Sequence, residues 1–252
     1  MDGENIMTEK TEELFRENAY LKEAQACVKD VIDLDDGACG VLLDRTVFYP
    51  LGGGQPGDTG HLIDLESNNR VDVIDTRKNL PQASGEIVHL LAPGSVPLAS
   101  GAKVSLHIDW ERRYKHMRMH SCMHLLSAIL PWPVTGGQVG TESGRIDFDI
   151  PEAILDKQEI TEKLNQLIQK DSKVTSRWIS AQELADNPSL VKTMSVKPPT
   201  TGGRVRLIEI ENCDLQPCGG THVKQTAEIG KVEIRKIEKK GAQNRRVRIA
   251  FL

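Results

Sequence analysis

The chain has 252 residues, room for one large domain or two modest ones, and its 38% hydrophobic and 27% charged content is that of an ordinary globular protein. No apolar run approaches the roughly 18 residues that a bilayer-crossing helix needs, so no membrane role is expected. The formal net charge of -4 conceals opposite halves: residues 1–108 carry 18 Asp and Glu against 9 Lys and Arg, and the remainder 18 against 23.

The opening residues, MDGENIMTEK, are polar and acidic and lack the basic and apolar regions of a secretory signal, so a cytoplasmic address is expected. Cys27, Cys39, Cys122, Cys213 and Cys218 are an odd, scattered set, which argues for reduced thiols or metal ligands over a disulfide framework. From Gln25 to Asp109 come short β-rich runs, QACVKDVID, GVLLDRTVFY, GHLID, RVDVID, GEIVHLL and KVSLHID, separated by turn residues. Such spacing predicts a small β-barrel over residues 1–108. At Asp109–Trp110 the character changes: ERRYKHMRMHSCMHLLSAIL is rich in helix formers and free of Gly and Pro until Pro131, which predicts a long helix. GRIDFDI reads as a strand. A second helix is expected from Pro151, with Ile160, Leu164, Leu167 and Ile168 as its apolar stripe. VTSRWIS and RVRLIEI read as strands, AQELADNP as a short helix, and KVEIRKIE with RRVRIAFL as a terminal hairpin whose Val247, Ile249 and Phe251 point inward. Residues 109–252 are therefore expected to form an antiparallel sheet with helices, which makes the whole chain α+β.

Within 224–248 nine basic residues, from Lys224 to Arg248, face only Glu228, Glu233 and Glu238. That run is either a solvated face of a strand pair or a phosphate-contacting surface. Arg112, Arg113, Lys115 and Arg118 on the long helix admit the same two readings.

His120 and His124 lie four apart on that helix, so both imidazoles project from one face, with Cβ atoms about 6 Å apart. Alone, such a pair is as readily structural as metal-binding. Cys218-Gly-Gly-Thr-His222 adds a thiol and an imidazole around two flexible residues, and Cys and His are the preferred zinc ligands. Four protein ligands ordinarily mark a closed structural site, whereas catalytic zinc keeps one position open. Either His222 is loosely held, or the ion organises the pocket and water is activated elsewhere.

These residues resemble the AlaX group of freestanding alanyl-tRNA editing proteins, relatives of the editing domain of alanyl-tRNA synthetase. The similarity runs over nearly the whole chain. The group's H-x-x-x-H helix matches His120-Ser-Cys-Met-His124, its C-G-G-T-H motif matches Cys218 to His222, and its glycine motif matches Phe48 to Pro56. Where the group often has Thr after the first histidine this chain has Ser121, and Cys122 beside it offers a competing thiol. The resemblance implies one Zn2+ per chain on His120, His124, Cys218 and His222, and hydrolysis of the ester joining an amino acid to the terminal adenosine of the tRNA. It is closest to the medium-length type, which implies alanine tRNA mischarged with serine, or with glycine, as the partner. No ATP-binding aminoacylation half is recognised, so editing in trans is expected.

Thr46 is by resemblance the residue that reads the serine hydroxyl, or else an ordinary strand threonine. Gly52, Gly53 and Gly54 would let backbone approach substrate, or merely make a tight turn, and the Gln55 amide could bridge substrate and domain. Asp147, beside Arg145, could orient a zinc-bound imidazole or simply pair with its neighbour. Arg118 and the helix basic residues could hold acceptor-stem phosphates. Two rivals stay open: a non-catalytic tRNA-binding protein stapled by zinc, and a zinc-dependent esterase or amidase for small molecules.

Overall fold

The computed structural model describes residues 10–34, 37–96, 98–150, 155–194 and 200–252. The chain divides into two compact units, Met1–Leu51 with Gly57–Trp110, and Gly52–Pro56 with Glu111–Leu252.

The first unit starts with β1 (Glu12–Glu13) and α1 (Leu14–Glu17) and continues through β2 (Glu23–Asp33), β3 (Cys39–Leu43), β4 (Arg45–Thr46), β5 (Gly60–Asp64), β6 (Arg70–Leu80), β7 (Ala83–Leu91) and β8 (Lys103–Ile108). Six of these close an antiparallel barrel in the order β2-β3-β7-β6-β5-β8, while β1 pairs with β4. Closure leaves no strand edge open to solvent. The alternation that builds it is plain in β8, where Val104, Leu106 and Ile108 are buried and Lys103 is exposed. Inside, Leu106 belongs to a buried cluster with Val28, Val41, Leu43, Leu62 and Val71. We expect Leu106→Ala to cost about 2–5 kcal/mol through the cavity it opens, measured by urea unfolding.

The run GVLLDRTVFY is not one strand. Asp44 breaks it by accepting from the backbone N–H of Cys27 and of Arg45, both at 2.8 Å, so β3 stops at Leu43. On β7, His89 is fully buried; Nδ1–H donates to the Val41 carbonyl at 2.9 Å and Nε2 accepts the Thr46 hydroxyl at 2.8 Å. Burial pushes the His89 pKa down to about 4. An unfolded imidazole takes up its proton near pH 6.5, so the unfolded state binds more protons below that pH and stability falls with acidification. The loss contributed by His89 should reach about 3 kcal/mol at pH 4. A His89→Asn variant, compared with the parent in urea at pH 7 and pH 5, should lose correspondingly less on acidification.

The second unit contains α2 (Trp110–Ile129, its first residue counted with the barrel), β9 (Val134–Gln138), β10 (Ser143–Asp149), α3 (Lys157–Gln169), β11 (Val174–Ser180), α4 (Ala181–Asp186), β12 (Thr200–Thr201), β13 (Arg204–Ile210), β14 (Asp214–Pro217), β15 (Val232–Lys239) and β16 (Asn244–Phe251). The α+β expectation holds, but with two antiparallel sheets instead of one: β15-β16-β10-β9, and β11-β13-β12 with β14 also on β13. The reason is hydrogen bonding. Strand β13 is paired along one side by β11 and along the other by β12 and β14, so it has no edge left to join the first sheet.

Ile146, Phe148, Val232, Ile234, Val247 and Ile249 form the buried face of the first sheet. Helix α2 lies against glycines there: a Cβ on Gly144 would sit 2.9 Å from Met119 Sδ, and one on Gly137 3.2 Å from Met123 Cε. Phe251 is only half-buried, with the Arg118 guanidinium 4.3 Å above its ring. The expected start at Pro151 lies outside the described residues; α3 is capped by Asp156, whose carboxylate accepts from Glu159 N–H. Its buried stripe is Ile160, Leu164 and Ile168, with Leu167 at the margin. Among the described residues no helix is long and apolar enough to cross a membrane.

Candidate metal centre

Helix α2 presents His120 and His124 one turn apart, ring centroids 5.3 Å from each other. Strand β14 ends at Pro217 and delivers the Cys218–His222 loop to the same place. That loop is tied down by Cys218 N–H on the Arg206 carbonyl at 3.0 Å, and by Arg206 Nη1 donating to the Gly220 carbonyl at 2.9 Å. A Cβ on Gly220 would lie 2.2 Å from His120 Cε1, so only glycine lets the loop pass this close to the helix.

The four donor atoms of His120, His124, Cys218 and His222 all lie within 4.8 Å of one another. Cys218 Sγ is 3.6 Å from His120 Nε2 and 3.3 Å from His222 Nε2. Tetrahedral zinc, with bonds of about 2.0–2.1 Å to nitrogen and about 2.3 Å to sulfur, requires N···S edges of about 3.6 Å. The donor set therefore fits zinc in type and number, and its two sulfur–nitrogen edges fit in spacing.

Each imidazole is also held from behind. His120 Nδ1 faces Gln55 Oε1 at 2.9 Å, His124 Nδ1 faces Asp214 Oδ2 at 3.2 Å, and His222 Nδ1 faces Ser121 Oγ at 3.1 Å. With acceptors behind Nδ1 of His120 and His124, a proton is held there, and Nε2 is the nitrogen that each ring turns toward the cluster. His222 is hydrogen-bonded from behind like the others, by Ser121 Oγ.

Burial alone would raise the Cys218 pKa, but the imidazoles of His120 and His222 bring it well below the ordinary thiol value, which favours thiolate. His222 is pushed down to about 3 by burial and the neighbouring His120. Burial opposes charge on His124, but Asp214 and Cys218 raise it to about 9. Asp214, though buried, is drawn to about 2 by His124 and Lys192. Cys122, fully buried, is pushed up to about 12 and stays a thiol, and it is not among the four clustered donors.

The remaining expected site residues fall elsewhere or act otherwise. Gly53 and Gly54 have φ of 57° and 82° in a tight turn closed by hydrogen bonds between Gly52 and Gln55, the left-handed backbone that glycine suits. Gly54 is pressed on β9: its carbonyl accepts from Val139 N–H at 2.8 Å, and a Cβ would meet the Gly137 carbonyl oxygen at 2.5 Å. These contacts place Gly52–Pro56 with the second unit, where the sequence reading had put the motif in the first. Fully buried Gln55 bonds His120 and, through both ends of its amide, Thr221 Oγ1 at 2.8 Å and Thr221 N–H at 3.1 Å. Both ends of its amide are thus engaged within the second unit.

Asp147 orients no imidazole; both its oxygens are taken by Arg246, at 2.7 and 2.9 Å, and by Arg145. That orienting task falls to Asp214, 90 residues from His124, a spacing that carries no signal of the contact. Arg118 spends its guanidinium on the Ile229 carbonyl and the Phe251 ring, not on an open phosphate site. Arg113 is fully buried and Lys115 pairs with Glu142. Thr46 belongs to the first unit, where its hydroxyl donates to His89 and accepts from Phe48 N–H at 3.0 Å.

Two domain families of tRNA synthetases match the chain: the threonyl and alanyl tRNA synthetase second additional domain over residues 205–248, which carry Cys218 and His222, and the class II (A) tRNA synthetases over residues 4–112. The barrel and the histidine–cysteine centre thus belong to a synthetase-related class. Similarity then narrows the class. The alanyl-tRNA editing protein AlaX-M of Methanosarcina barkeri is 38% identical over 244 residues, covering 94% of this chain and 97% of its own. The AlaX-M protein of Saccharolobus solfataricus is 33% identical over 243 residues, with 94% and 97% covered. An alanine–tRNA ligase of Saccharolobus islandicus is 33% identical over 238 residues, which are 91% of this chain and 25% of the ligase. The chain belongs to the AlaX-M family of alanyl-tRNA editing proteins.

Proposed function

We propose that this protein is a zinc-dependent aminoacyl-tRNA hydrolase that removes serine, and also glycine, wrongly attached to alanine tRNA, acting in trans in the cytoplasm. The observation that carries the reading is the convergence of His120, His124, Cys218 and His222 within 4.8 Å in a chain of this family. Held by His120, His124, Cys218 and His222, zinc would supply positive charge and Lewis acidity beside the ester, and with all four donors anchored the attacking water would be oriented by other groups. The chain's own part is to hold and orient. Gln55, Asp214 and Ser121 fix the three imidazoles, and Arg206 fixes the loop carrying Cys218. Serine exceeds alanine by one hydroxyl, which an apolar pocket separates weakly and a polar partner separates strongly. Thr46 is the proposed partner; its proton is engaged by His89, so it would meet the serine hydroxyl as an acceptor.

The closed four-donor set favours one rival, a tRNA-binding protein in which zinc is only a staple. Incubating purified protein with serine-, glycine- and alanine-charged alanine tRNA, with and without chelator, decides between them. The hydrolase releases serine and glycine, spares alanine, and stops with chelator; a stapled binding protein leaves every ester intact; turnover of small esters without tRNA would instead mark a general esterase. Thr46→Val is expected to slow serine release at least tenfold while leaving zinc content and glycine release in place. Unchanged serine turnover would remove Thr46 from the reading.

A further inference from the structure

On the face of the first sheet opposite its core, an open concavity of about 580 Å³ is lined by Gln138, Glu142 and Ser143 of the β9–β10 hairpin and by Arg145, Arg235 and Arg248. The register sets Arg145 directly against Arg248 across β10 and β16, so two guanidinium groups share one side of the sheet. Two of the carboxylates here are outnumbered. Glu238 is shared by Lys236, Lys240 and Arg248, and Asp147 by Arg145 and Arg246. These five cations face two anions, while Arg235 with Glu233 and Lys115 with Glu142, the carboxylate in the lining, add two neutral pairs. Arg235 and Arg248 are reached by solvent, at 62% and 44% exposure, and each is steadied through Nε by one glutamate, Glu233 and Glu238. A guanidinium so held still has its two terminal NH2 groups to offer in a fork suited to phosphate. One wall of the concavity is Val139, whose N–H donates to Gly54, and the next residue, Gln55, bonds His120 of the metal centre.

We infer that this concavity is a docking surface for an RNA phosphodiester backbone, with Arg145, Arg235 and Arg248 contacting phosphates of a strand whose 3′ end reaches the histidine–cysteine centre. It deepens the proposed hydrolase reading and rests on it for the identity of the RNA. Phosphate contacts give affinity that does not depend on sequence and falls with salt, each contact adding about one to the slope of log affinity against log salt.

The test measures binding of a short uncharged RNA hairpin with a single-stranded 3′ end, across a salt series, to the parent protein and to an Arg235→Gln, Arg248→Gln double variant. An Arg70→Gln, Arg77→Gln double variant of exposed barrel residues serves as the charge control. The inference predicts that the first pair weakens binding about 10- to 100-fold and lowers the salt slope by about two, with zinc content unchanged and KM for charged tRNA raised, while the control stays within about twofold of the parent. Equal binding by parent and Arg235/Arg248 variant, equal losses in both variants, or no RNA binding by the parent would each overturn it. Because the RNA is uncharged, a parent that binds in this arginine-dependent way but hydrolyses no ester would sink the hydrolase reading and leave the surface standing.

Discussion

Cys218→Ala is expected to leave the protein without its zinc and to lower deacylation of serine-charged alanine tRNA by at least about 100-fold. The thiolate is the sole soft anionic donor of the four, and Sγ lies 3.6 and 3.3 Å from two of the imidazole nitrogens, so its removal takes away both charge and a corner of the coordination shell. The loss should also show in stability. A ligand that binds only the folded chain stabilises it by RT ln(1 + [L]/Kd), about 4 kcal/mol at a thousandfold excess over Kd. Parent protein should therefore melt at lower temperature when chelator is added, and the variant should melt low with or without it. Cys122→Ala is the matched control: that thiol is buried and held as S–H, so the change should leave zinc content at one per chain. Elemental analysis of purified protein reads the result. A Cys218→Ala protein retaining one equivalent of zinc and full turnover would refute the centre.

The four donors were visible in the chain because their chemistry is local: a histidine pair at helical spacing and a cysteine–histidine pair around two glycines. The barrel was equally legible, since six short runs alternate with turn residues and the alternation of β8 survives residue by residue in its burial. What supports the donors was not. Asp214, Ser121 and Gln55 reach their imidazoles from 90, 101 and 65 residues away, and no periodicity reports a contact of that kind. Strand β9 escaped for a different reason: its VTGGQ carries two glycines that weaken a strand on their own and are kept so that Met123 can approach Gly137. Arg118 misled because a charged residue near a site invites a ligand, whereas Asp147 follows the other reading left open for it and pairs with its neighbour Arg145. Their distant partners, Ile229 and Phe251 for the one and Arg246 for the other, lie on β16 or the turn before β15, far along the chain.

Gln55→Leu puts the positioning argument to its hardest test, since it keeps the size of the side chain and removes only its polarity. Gln55 is fully buried; its Oε1 serves both His120 Nδ1 and Thr221 N–H, while its Nε2 donates to Thr221 Oγ1. Leucine leaves two buried donors without an acceptor, at about 1–3 kcal/mol each. His120 then loses what holds its tautomer and its ring plane, and zinc affinity should fall about 10- to 100-fold, the usual cost of removing the partner behind a metal-bound histidine. Gln55→Glu restores an acceptor for both donors and should recover most of that affinity while giving up the bond to Thr221 Oγ1. Competition with a fluorescent zinc indicator measures the constants directly, without reference to catalysis. Were Gln55 a substrate bridge instead, Gln55→Leu would raise KM for charged tRNA and leave the zinc constant where it was. That outcome would return the glycine motif to a substrate-binding role and strip Gln55 of its place behind His120.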